Sequence, residues 1–194
     1  DPAGDDAETP ERKLIRSSDG TYFLSGQNGG PPLGPEPDEE PEGTPPAEEP
    51  PKPKGHSSSK VIAELAAHVV THIFDGEVKI NPDTGEKYST GGHYLHSKFV
   101  HFRKLYKNPT QNDIESHYIS LPDPDTGELI PKGPPSHFFP RNWTEEEIIR
   151  SILEAADNAT HFKGNVWIGK SAGGLKINIV VDAAGRIVSA WPMP

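Results

Sequence analysis

Residues 31–55 read PPLGPEPDEEPEGTPPAEEPPKPKG, and no stretch of the chain restricts folding more. Each proline fixes φ and removes an amide donor, and the interspersed carboxylates repel one another, so this segment is predicted to stay extended and solvated. The bias extends over residues 1–59, which hold 12 of the 22 prolines and 13 acidic side chains against 5 basic ones. Residues 60–194 hold 16 acidic and 14 basic side chains and eight of the nine histidines. The chain therefore divides into a disordered, acidic, Pro-rich linker over 1–59 and a folded domain over 60–194. The net charge of -10 belongs mostly to the linker and says little about what the domain binds. Within the linker only the patch Thr21–Leu24 has the apolar character to pack, against something upstream.

No apolar run approaches the ~18–20 residues of a membrane span, and no basic-then-apolar signal sequence is present. The chain opens Asp-Pro, which predicts a piece of a longer polypeptide whose targeting and delivery segments lie upstream. With no cysteine, disulfide frameworks, thiol catalysis and cysteine zinc sites are excluded.

Ser57–Ser59 offer an N-cap, and Val61, Ile62, Leu65, Val69 and Ile73 fall at helical spacing, predicting a helix over 60–74 that Asp75-Gly76 stops. Two similar turns come next, Asn81-Pro-Asp-Thr-Gly85 and Asp123-Pro-Asp-Thr-Gly127, and each should join two strands. Strands are predicted near 77–81, 96–106, 116–121 and 128–131. Thr144 and Glu147 form a capping box for a second helix with Ile148, Ile149, Ile152, Leu153 and Ala156 on one face. The period then changes to two: Leu175, Ile177, Ile179 and Val181 share a strand face, and Asp182–Gly185 turns the chain into Arg186–Trp191. The order predicts an α+β domain, with an antiparallel sheet, an N-terminal helix and a second packed helix.

The chemistry concentrates in Gly91-Gly-His-Tyr-Leu-His-Ser-Lys-Phe-Val-His-Phe-Arg-Lys-Leu-Tyr-Lys107. No acidic residue lies between Glu86 and Asp113. The paired glycines let the backbone turn and should leave the His93 imidazole uncrowded. His96 and Lys98, two apart, are expected on one strand face. Cations interleaved with aromatics suit a phosphodiester, with rings to stack on bases; a solvated basic strand with incidental histidines is the alternative. His72 closes the first helix. His68, four residues earlier, gives a zinc-compatible spacing, but no HExxH carboxylate or third ligand accompanies the pair, and no metal site is assigned. Two imidazoles and a lysine can cleave RNA without a metal. One neutral His takes the 2′-OH proton, a protonated His gives one to the departing 5′-oxygen, and an ammonium stabilises the phosphorane. At the C-terminus Ser189 and Trp191 share a strand face, where a hydroxyl beside a flat ring could hold a base. Gly169–Gly174 lacks the strand–loop–helix setting of a phosphate loop and reads as a hairpin loop.

Taken in order, His72-Ile-Phe-Asp-Gly76, Gly91-Gly-His93, Phe138-Phe-Pro140 with Trp143 after it, and the closing Ile177–Pro192 hairpin make residues 60–194 resemble the bacterial EndoU-type ribonuclease toxin domain. That family sits at the C-termini of polymorphic and contact-dependent toxins. The resemblance implies a barnase/EndoU/RelE-like fold and RNA cleavage to a 2′,3′-cyclic phosphate, with no required cofactor and with Mn2+ stimulation as an option. It also implies an RNA substrate, a cognate immunity protein, and delivery from the producing cell into a target-cell cytoplasm. His72 and His93 match the two family histidines. Ser189 and Trp191 fall where the family has Thr-x-Tyr, and the tryptophan keeps a ring but loses a phenolic hydroxyl. Lys98 is assigned to the phosphorane and His96 to substrate binding, with Lys132 as the alternative lysine and His137 a further candidate. The stretch 97–130 reads as an inserted hairpin. A metal-dependent nuclease of related fold and a non-catalytic Pro-rich interaction protein are the rival readings.

Overall fold

The computed structural model describes residues 12–26, 60–109 and 112–194. Its N-terminal elements are strands β1 (Leu14–Arg16) and β2 (Tyr22–Leu24), helix α1 (Ala67–Asp75), and strands β3 (Glu77–Ile80) and β4 (Lys87–Thr90). Strands β5 (His101–Lys107), β6 (Ser116–Pro122), β7 (Leu129–Pro131) and β8 (Ser136–His137) come next. Helix α2 (Glu145–Asp157) and strands β9 (Thr160–Lys163), β10 (Val166–Lys170), β11 (Lys176–Val181) and β12 (Ile187–Pro192) complete the chain. Strands order as β12-β11-β10-β9, as β5-β6-β7 with β8 also on β6, and as the pairs β1-β2 and β3-β4. All these pairings are antiparallel. The class is α+β.

Helix α2 obeys its sequence closely. Thr144 Oγ1 accepts from the Glu147 amide at 3.2 Å, and a Glu147 carboxylate oxygen accepts from the Thr144 amide at 2.6 Å. Three glutamates in the first turn favour the positive end of the helix dipole. Ile148, Ile149, Ile152, Leu153 and Ala156 are buried, each large aliphatic contributing on the order of 2 kcal/mol. The helix backbone lies directly on β10: a Cβ on Gly169 would sit 1.9 Å from the Ala155 carbonyl oxygen, so only glycine fits there.

Helix α1 departs from expectation at its start. It begins at Ala67, not Lys60, and its N-cap Ala66 makes no side-chain bond. Val61 and Leu65 are buried, but in extended backbone whose amides are already engaged. The Ile62 amide donates to Gly185 O at 2.8 Å, and Leu65 exchanges two bonds with Tyr22. Pairing with distant segments uses the backbone groups that an earlier helix start would need. The proposed caps Ser57–Ser59 lie outside the described residues.

Residues 12–26, read in the sequence as linker, fold back onto the domain. Leu24 is buried in the main core beside Leu65 and Ile149, and the Arg12 guanidinium pairs with Asp157 of α2. The Thr21–Leu24 patch thus packs against the downstream domain and not against an upstream segment. The Pro/Glu-rich remainder of 1–59 lies outside the described residues.

The strand expected over 96–106 begins only at His101. Residues 93–100 form turns, with the Ser97 amide donating to Tyr94 O at 3.2 Å and Ser97 Oγ to Asp75 Oδ1 at 2.6 Å. His96 and Lys98 therefore share no strand face. The two Pro-Asp-Thr-Gly turns join β3 to β4 and β6 to β7 as expected, each closed by a 2.8 Å bond from its glycine amide. Strands β9 and β10 had no period-two signal strong enough to read. Val100, Ile119, Leu121 and Phe138 form a second small core under β6.

Candidate active site

The C-terminal end of α1 and the segment after β4 are locked together by backbone bonds. His72 O accepts from the amides of Gly76 and Gly92, at 3.0 and 3.1 Å, and His93 N donates to Ile73 O at 2.7 Å. This approach requires Gly91, whose φ is +72° and whose Cβ would lie 2.1 Å from His72 O. The glycine pair is therefore what brings His93 beside His72. Helix α1 also packs on β12, which sets Ser189 and Trp191 against the two histidines.

His72 is held at both ring nitrogens. Nδ1 donates to a Glu77 carboxylate oxygen at 2.8 Å, and Nε2 lies 3.1 Å from Ser189 Oγ. Burial pulls its pKa below the usual histidine value, and the Glu77 carboxylate opposes that fall. Glu77 is itself held low: burial raises it, but the Lys79 and His72 cations outweigh burial.

His93 is 5% exposed. Its Nδ1 donates to His137 O at 2.8 Å, which leaves Nε2 as the free lone pair. Trp191 stacks on the ring at 5.9 Å and 20°. Burial, with the Lys132 charge second, holds its pKa well below the ordinary value, so the ring is neutral at pH 7. The expectation of an uncrowded imidazole is corrected: the glycines bury it.

Lys132, 8% exposed, donates to Gly91 O and Ser136 Oγ, both at 2.7 Å. Burial lowers its pKa to about 8. Among the described residues no carboxylate pairs with it, so it is a buried cation facing a cleft that holds no countercharge. That cleft, of about 300 Å³, is lined by Thr90, Gly91, His93, Lys132, His137, Ser189, Trp191 and two prolines. His137 Nδ1 bonds Ser116 Oγ at 2.7 Å, and burial lowers its pKa, helped by Lys132.

Of the residues singled out in the sequence, His72, His93, Ser189, Trp191, Lys132 and His137 thus converge. Lys98 and His96 do not. Lys98 is exposed with its ammonium 5.0 Å from the Phe99 ring centroid, and exposed His96 bonds Arg141 O at 2.8 Å. Glu77 went unread; its only sequence signal is a carboxylate five residues beyond His72, just past the helix stop. Among the described residues no group of three or more His, Asp or Glu side chains is placed to hold a metal ion.

The class is an α+β domain in which His93, His137 and the Lys132 ammonium line one cleft, with His72 joined to it through Ser189. The family described as Bacterial EndoU nuclease matches residues 67–193, and the chain belongs to that family. Over 57 residues it is also 39% identical to a protein named Toxin from Bacillus cereus. That match covers 29% of this chain and 10% of the relative's length. No solved structure matches.

Proposed function

We propose that this domain is an endoribonuclease toxin that cleaves RNA by 2′-OH attack on the adjacent phosphate, leaving a 2′,3′-cyclic phosphate. The observation that carries it is the buried, carboxylate-free Lys132 ammonium sharing one cleft with His93. His93 Nε2 is the base: neutral at pH 7 and fixed in its tautomer, it takes the 2′-OH proton. His72 is the acid: Glu77 stabilises its imidazolium through Nδ1–H, and the Nε2 proton goes to the departing 5′-oxygen. Lys132, and not Lys98, meets the charge that develops on the phosphorane oxygens. Ser189 leaves His72 to meet a base edge, beside the Trp191 ring. These side chains fill every role, so no cofactor is required, and activity that persists in EDTA is the corresponding check.

The toxin-named relative supports a toxin role, and with it an upstream delivery region, a cognate immunity protein and action in a target-cell cytoplasm. Among the described residues no helix is long and apolar enough to cross a membrane. Incubation with total RNA and mapping of the new 3′ ends tests the chemistry. Cyclic phosphate is expected; ends bearing a free 3′-hydroxyl would sink the mechanism.

The histidine environments set the pH dependence. His93 stays neutral to well below pH 6.5 and His72 must carry its proton, so kcat/KM should peak on the acid side of pH 6.5. It should decline above that peak and fall again near pH 8 as Lys132 loses its proton. Glu77→Gln removes the charge that holds the His72 proton and should move the first descending limb to lower pH. A pH–rate profile identical in wild type and variant would remove Glu77 from the mechanism.

A further inference from the structure

Strand β5 is exposed along its whole length and carries Arg103, Lys104 and Lys107. Among the described residues no carboxylate pairs with any of the three. Register shows which side chains share a face, because residues directly opposite in an antiparallel ladder point the same way. His137 of β8 pairs with Ser116 of β6, and Ser116 pairs with Lys107 of β5. The next row on that face is Tyr118 opposite Lys104. Phe102 and Leu105 point the other way, opposite Ile119 and His117, and the Phe102 ring lies 5.4 Å from Phe138 over the small core. Bulges at Arg103 and Tyr106 keep this alternation in step, and Tyr106 meets the Tyr118 ring edge-on at 5.5 Å.

The face therefore begins at a wall of the catalytic cleft and leaves it as a row of cations with two tyrosines among them. Its continuity with the cleft has an electrostatic trace: the Lys107 charge contributes to lowering the His137 pKa. Successive rows are about 7 Å apart, the reach of roughly one extended nucleotide. Lysines can neutralise phosphates while tyrosine rings stack on unpaired bases, a pairing that a duplex cannot use.

We propose that this β5–β6 face, built from Lys104, Lys107, Tyr106 and Tyr118, is a binding site for single-stranded RNA flanking the scissile phosphate. The inference rests on the ribonuclease reading and adds where the substrate strand runs.

The test is separable from catalysis. A 2′-O-methyl 12-nucleotide RNA lacks the nucleophile and reports binding alone by fluorescence anisotropy. Lys104→Glu combined with Tyr118→Ala should raise its Kd by about tenfold or more. Lys104→Glu alone, on an exposed strand, should lower the salt dependence, log Kd against log salt, by about 0.7 for the lost phosphate contact. Lys163→Glu on β9, which makes the same charge change, should leave Kd within about twofold. A Kd and salt slope unaltered by the β5–β6 variants overturns the site. Tight binding through this face by a protein that leaves unmodified RNA uncut keeps the site and removes the ribonuclease reading.

Discussion

His93→Ala is expected to lower kcat for RNA cleavage by about 10³-fold, within the roughly 10²–10⁴ that a positioned general base contributes. The ring is buried, its Nδ1 tied to the His137 carbonyl oxygen and its face covered by Trp191. Truncation therefore also opens a cavity and leaves a carbonyl unpartnered, at a cost of about 1–3 kcal/mol. Circular dichroism and a thermal melt separate that loss from the chemical one, and His93→Gln, which can still donate to His137 O, is the better-folded second variant. Both should be inactive. Cleavage by either folded variant at more than about a tenth of the wild-type rate would falsify the assignment of His93 as base.

The same burial makes His93 a stability sensor. Its folded pKa is depressed, so below about pH 6.5 the unfolded chain binds the proton that the native ring refuses. Native stability should fall as pH drops through that value, and His93→Gln should flatten the fall.

How much of this molecule is legible in its sequence depends on physical range. Thr144 and Glu147 act within one helical turn, and the residues that define the cap are also the residues that make it. The Ser189/Trp191 pair needs only the two-residue period of a strand. The Asn81–Gly85 and Asp123–Gly127 turns are closed by their own atoms. Where partners are distant, the reading fails for a reason. Val61 and Leu65 have helical spacing, yet the backbone around them pairs with Gly185 and Tyr22, which no local pattern records. Leu14 and Leu24 sit in short apolar patches of a charged segment, and no local pattern records that the core they join is the downstream one. The Gly91-Gly92 pair was legible as a turn, but the direction of that turn, onto the His72 carbonyl, depends on the helix it meets.

The lysine shows this limit best and carries the second large effect. Lys98 lies near His93 in sequence, and Lys132 lies 39 positions from it. Folding reverses their relevance, because β7 returns the chain to Gly91 and leaves Lys132 under the cleft. Lys132→Met is expected to lower kcat by about 10²–10³-fold, the scale of losing one preorganised stabiliser of developing charge. Lys98→Ala should cost far less. The decisive observation is stability. A buried ammonium with no carboxylate opposes folding, so an apolar side chain of similar length should leave Tm unchanged or raise it. The pH sign agrees: with a folded pKa of about 8, Lys132 sheds its proton before the unfolded chain does. Wild-type stability should therefore rise between about pH 8 and 10.5 by up to about 3 kcal/mol, a rise absent from Lys132→Met. A lysine that merely braces Gly91 and Ser136 would give the opposite pattern, a lower Tm with kcat retained. Only a cation kept for the substrate's charge makes the protein more stable and less active when it is removed.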